Sequence, residues 1–147
     1  MTHRVVFDIC TEAIPDATEA AAFFNDQSTL IFPHGGRAAA YWFAPAGAED
    51  VVRLDIDYDN GRAALRWLPD ATYAVESDVI GPIVVLESSD CDVVTIPAEL
   101  ARVSVDTAHQ AVIEYISTDQ KPTCVRWQSA VGSGGTAQFR GSLPSVR

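Results

Sequence analysis

Lysine is nearly missing from this chain: Lys121 stands alone among 10 cationic residues, the others all arginine, and they face 20 acidic residues. The formal charge is −10. That balance works against direct binding to nucleic acid or anionic membranes, since both demand a positive surface, and it suits a basic protein partner. Cysteine is scarce as well. Cys10, Cys91 and Cys124 are odd in number and far apart, which argues against a disulfide framework and against C-x-x-C zinc or redox chemistry. Cys10 and Cys124 fall in apolar, strand-like runs and read as buried thiols acting as small hydrophobes. Cys91 has acidic neighbours in Ser88-Ser89-Asp90-Cys91-Asp92, which raise a thiol's pKa and make it a poor nucleophile. No apolar run nears the roughly 20 residues that span a bilayer. The first ten residues also lack the apolar core of a secretory signal, so the expected location is the cytoplasm.

The usual traces of catalysis are thin. His3, His34 and His109 have no partner at H-x-x-x-H or H-E-x-x-H spacing. His3, at the terminus, reads as solvent-exposed. Pro33-His34-Gly35-Gly36 brings to mind an oxyanion loop, yet no G-x-S-x-G elbow accompanies it, and a plain turn is the better reading. Gly132-Ser133-Gly134-Gly135 lacks the G-K-[ST] of a phosphate loop. Adjacent carboxylates such as Asp55 and Asp57 suit acid–base chemistry only where burial raises one pKa, and period-two alternation places them on a polar strand face. The residues therefore call for no catalytic group, metal or cofactor.

What is present is patterning. At 147 residues the chain fits one domain, expected over 1–131, with a loose, Gly- and Ser-rich tail over 132–147 that carries a short strand around 137–140. A first strand is expected over 5–10. Pro15, Asp16 and Glu19 open a helix over about 16–27, with Phe23 and Phe24 inward. Arg37 to Ala44 reads as a strand rich in alanine and aromatics.

The strongest local signal lies at 51–68. There Val52, Leu54, Ile56 and Tyr58 alternate with Arg53, Asp55, Asp57 and Asp59, and Asn60-Gly61 separates them from Ala63, Leu65 and Trp67. A two-residue turn would pair Tyr58 with Ala63, Ile56 with Leu65 and Leu54 with Trp67. On the opposite, solvated face it would pair Asp59 with Arg62 and Asp55 with Arg66. Strands near 73–75, 83–87 and 92–96, a turn at 98–101, a helix over 104–117 and a last strand over 123–128 complete the pattern. The architecture this predicts is α+β: an antiparallel meander with two packed helices.

One run of residues carries a resemblance. Ala63 to Trp67, Ile96-Pro97-Ala98-Glu99, Ala111-Val112-Ile113-Glu114-Tyr115, Thr118 through Pro122 and Val125-Arg126-Trp127 follow a vP-x-E…A-x-x-E-[FY]-x-x-T-G-x-x-P-x-x-[VI]-x-W pattern. In this the chain resembles the Imm1 family of bacterial immunity proteins over a little more than half its length. Asp119 stands where the pattern has glycine, a position expected to cap the helix in the left-handed conformation.

The resemblance implies a place in a polymorphic toxin system. The partner would be a cognate toxin, often a deaminase acting on nucleic acid, whose basic groove or active site the immunity protein covers. A pocket between sheet and helices around His34 and Trp127, serving a small molecule or an enzyme reaction, is the competing reading. The expected contact residues are Asp55, Asp57 and Asp59 on the polar strand face, Glu87, Asp90 and Asp92 in the acidic loop, and Trp42 as an aromatic anchor. The expected state is a monomer or weak homodimer.

Overall fold

The structure, a computed structural model, describes residues 2–31, 36–88 and 93–129. The His34 loop, Asp90, Cys91, Asp92 and the 132–147 tail with its expected strand lie outside those residues.

Alternation of apolar residues builds one large sheet. Its strands are β1 (His3–Phe7), β2 (Cys10–Ile14), β3 (Ala38–Pro45), β4 (Val52–Asp57), β5 (Arg62–Trp67), β6 (Thr72–Val75), β7 (Ile83–Leu86), β8 (Val93–Ile96), β9 (Val103–Ser104) and β10 (Arg126–Ser129). The antiparallel path runs β10-β6-β5-β4-β3-β1-β2. The sheet forks at two strands. β3 takes β1 along one stretch and a single parallel bridge to β7, Ala39 to Leu86, along another; β5 takes both β6 and β9. β7 and β8 form the expected second hairpin. The α+β architecture is as the sequence predicts.

Two helices cover one face. α1 (Ala17–Gln27) starts at Asp16, whose carboxylate accepts the Glu19 N–H at 2.9 Å. It buries Ala20, Phe23, Phe24 and Gln27, the i, i+3, i+4, i+7 stripe of an amphipathic helix. α2 (Val105–Thr118) is capped by Ser104 and buries Ala108, Ala111, Val112, Tyr115 and Ile116. These stripes meet Tyr41, Phe43, Leu54, Ile56 and Leu65 in the main core. The Tyr41 hydroxyl donates to Gln27 Oε1 at 3.0 Å, which satisfies the one polar side chain that α1 buries.

The chain departs from expectation at several places. The single strand expected over 5–10 is a hairpin, β1–β2, which turns through Asp8 at φ 53°. Cys10 therefore begins a largely exposed outer strand, and its thiol is exposed. Cys124 is exposed too, because the residues before β10 form a loop and not a strand. Partial burial and the Glu114 carboxylate push the Cys124 thiol pKa up, so it is a weak nucleophile.

The 51–68 hairpin forms in a register slid by two residues: Ile56 faces Ala63, Leu54 faces Leu65 and Val52 faces Trp67. Asp57 accepts hydrogen bonds from the Asn60 backbone and side chain, so the loop spans 58–61, with only Gly61 left-handed at φ 69°. A shift by an even number keeps every side chain on its face. It nevertheless sets Asp57 opposite Arg62 and Arg53 opposite Arg66.

Candidate functional site

The larger correction concerns the second face of the sheet. Ala38, Ala40 and Trp42 of β3, Ala64 of β5 and Tyr73 and Val75 of β6 pack there against Ile83, Val85 and Ile96 of the β7–β8 hairpin and against Leu100 and Ala101. The face expected to be solvated is thus covered. Asp55 is fully buried, Asp57 is 6% exposed and Trp42 is 3% exposed.

The buried charges pair with one another. Arg53 meets Asp55 through Nε and Nη2 at 3.0–3.2 Å, and its Nη1 lies 3.1 Å from Glu87 Oε2. Arg66 Nη2 reaches the other Asp55 oxygen at 3.3 Å. The Arg53 guanidinium also lies 4.9 Å from the Trp42 ring centroid. Asp55 stands between two arginines that the hairpin register sets directly opposite each other. For Arg53, burial works against the charge, but Asp55 and then Glu87 outweigh it and hold the pKa above its ordinary value. For Arg66, burial prevails over Asp55 and the shift is downward. This cluster is a structural layer.

Of the expected contact residues, Trp42, Asp55 and Asp57 are therefore inside. Their side chains are out of a partner's reach. Asp59 and Glu87 keep access to solvent, with side chains 55% and 18% exposed. Asp59 pairs with Arg37 at 2.9 Å, which holds its carboxyl below the ordinary range. Other cations are likewise engaged: Arg4 with Asp50 and Lys121 with Asp70, both at 2.7 Å. The seam beneath Trp127, lined by Val52, Leu65, Val112, Tyr115 and Pro122, has no room for a water molecule.

The open concavity lies elsewhere, between α1 and α2. It is a shallow, open concavity of about 400 Å³, and Ala21, Phe24, Asn25, Tyr58, Asp106 and His109 contribute to its walls. His109 stacks on Phe24 with ring centroids 4.2 Å apart and planes at 18°, and its Nε2 lies 2.9 Å from the Tyr58 hydroxyl. Sequence spacing gave His109 no partner, because Tyr58 comes from a loop 51 residues away. Burial lowers the His109 pKa from its ordinary 6.5, against the pull of Asp106. An unfolded chain then takes up the proton before the folded one does. Stability is whole above pH 6.5, falls as pH drops through that value and levels off below the folded pKa. His109→Gln is expected to flatten this part of a urea-midpoint profile; an unchanged slope would place the pH dependence elsewhere.

The residues that carry the resemblance have physical roles. Glu114 on α2 accepts from the Thr123 N–H and hydroxyl at 2.9 Å and from the Cys124 N–H at 3.3 Å, fastening the loop before β10. These bonds, with the Thr123 N–H foremost, keep the Glu114 carboxyl below its ordinary pKa. Trp127 Nε1 donates to the Pro122 carbonyl at 2.8 Å, and the Trp127 ring meets Trp67 with centroids 6.4 Å apart.

Asp119 caps α2 in the left-handed conformation, φ 56° and ψ 28°, as expected of the position. Its carboxylate lies 2.9 Å from His3 Nε2. His3 is 1% exposed and not the solvated terminal residue expected. Asp119→Ala is expected to lower unfolding free energy by roughly 2 kcal/mol, combining backbone strain with a lost partner for a buried ring. Asp119→Gly removes only the second part and should fall between Ala and wild type in urea titrations. Equal losses would refute the backbone share.

Comparison with known proteins places these features in a family. No curated protein matches the chain. The family model described as immunity protein Imm1 matches residues 38–129, from the start of β3 to the end of β10. That span takes in both walls of the buried charged layer and the residues through which Glu114 and Trp127 fasten the loop after α2; His3, the partner of Asp119, lies before it. The chain belongs to the Imm1 family of immunity proteins.

Proposed function

We propose that this protein neutralises a cognate toxin by binding it stoichiometrically, with no bond-making step of its own. We further propose that the toxin is a nucleic-acid deaminase whose basic substrate groove meets the acidic exterior. The sorting of charge supports this reading. Among the described residues the two buried arginines, Arg53 and Arg66, are balanced in number by the buried Asp55 and Asp57, so the acidic excess of the described residues lies nearer the surface. A surface of that sign steers toward a basic partner and competes with nucleic acid for it. Asp59, Glu87 and the acidic stretch through Asp90 and Asp92 supply part of the contact. On this reading the protein acts in the cytoplasm as a monomer or weak homodimer.

The test is titration calorimetry against the toxin domain encoded by the neighbouring gene. The expected result is a 1:1 complex at micromolar concentration or tighter, weakening about tenfold as salt rises from low to several hundred millimolar. No complex at low salt would overturn the reading. A complex indifferent to salt would overturn its electrostatic part.

A further inference from the structure

The cleft between α1 and α2 is a built site that the acidic exterior alone does not explain. Its floor is neutral. The Tyr58 hydroxyl and His109 Nε2 engage each other at 2.9 Å, and Phe24 backs the imidazole at 4.2 Å. Its charge comes from Asp106, an exposed carboxylate in the first turn of α2, which forms no ion pair among the described residues. That carboxylate sits at the edge of the concavity. Ala21 and Asn25, both exposed on α1, form the opposite rim and leave the mouth open.

We propose that this cleft receives one arginine side chain of the toxin. The inference rests on the toxin-binding reading above and names the place where that binding concentrates. A guanidinium is planar and weakly hydrated, so it lies against an aromatic stack more readily than an ammonium does, while its N–H groups reach a carboxylate at the rim. About 400 Å³ accommodates one long side chain together with the waters at its edge. A cation held between two helices against an aromatic face is a form that dominant interface residues take.

The test uses four full-length proteins: wild type, Ala21→Arg, Ala21→Glu and Asp106→Asn. Position 21 is exposed on α1, and arginine and glutamate both suit a helix, so the two Ala21 variants should keep the wild-type urea midpoint within error, whereas Asp106→Asn gives up a first-turn carboxylate and should lower it slightly. Calorimetry against the neighbouring gene's toxin domain is expected to show Ala21→Arg weakened about thirtyfold, Asp106→Asn about fivefold, and Ala21→Glu within about threefold of wild type.

Argininamide provides a probe that does not depend on the toxin. It should shift the His109 Cε1–H resonance saturably in wild type and leave it unmoved in Ala21→Arg, whereas norleucinamide moves neither. Toxin binding that Ala21→Arg leaves unchanged would overturn this site and leave the proposed function standing. Equal loss with Ala21→Arg and Ala21→Glu would overturn the cationic occupant. A saturable argininamide shift in a protein that forms no toxin complex would uphold the pocket chemistry and overturn the toxin reading.

Discussion

Asp55→Ala is expected to lose about 3–5 kcal/mol of unfolding free energy, because it removes the carboxylate shared by two guanidiniums that face each other in the interior. Arg53 and Arg66 are partners across β4 and β5, and the fully buried carboxylate of Asp55 reaches both, at 3.0 and 3.3 Å. Like charges opposite one another already disfavour the pairing, and without Asp55 the carboxylate left on Arg53 among the described residues is Glu87. A chain with ordinary marginal stability would lose much of it. The companion experiment replaces Arg53, Asp55 and Arg66 together by Met, Leu and Met. Removing all three charges should be neutral or stabilising, since their desolvation disappears with them. Chemical denaturation followed by tryptophan fluorescence decides the matter. A cost below about 1 kcal/mol for Asp55→Ala would mean that water reaches the layer.

Trp42→Ala is expected to cost about as much, roughly 3–5 kcal/mol, for a different reason. The indole is 3% exposed, packs in the second core and carries the Arg53 guanidinium over its ring at 4.9 Å. Truncation opens a cavity and exposes that cation to an unfilled apolar space. Trp42→Phe keeps a ring beneath Arg53 and should lose appreciably less. The measurement separates the two readings of this residue. A core residue loses stability, whereas an anchor for a partner would lose toxin affinity with an unchanged denaturation midpoint.

These two positions also show what the sequence discloses and what it withholds. Period-two alternation at 51–68 sorts side chains correctly onto two faces, and heptad-like spacing marks the buried stripes of both helices. Neither pattern says what covers a face. Charged residues alternate in the same way whether water or another hairpin lies over them, so Asp55 and Asp57 read as surface. A clue stood in the neighbouring strand. Ala38 through Ala44 is apolar without interruption, the mark of a strand buried on both sides. Extending that reading across the sheet would have put Arg53 inside with Trp42. The register slip had a local cause, the Asp57 side chain that closes a longer loop, and the Asn-Gly pair hides it. The α1–α2 cleft was not legible, because it joins Tyr58 to His109 through packing that no spacing rule encodes.

The tie between His3 and Asp119 spans 116 positions of the chain. A nascent polypeptide emerges from its N-terminus onward, so the imidazole leaves the ribosome long before its partner does. β1 can already pair with β3 by then, but the ring at its head must wait, wet and unpartnered, until α2 is complete. The tie at His3 therefore closes only after α2 has been made. A translation product halted just short of position 119 would hold β1 to β9 yet lack both β10 and the carboxylate that partners the first strand.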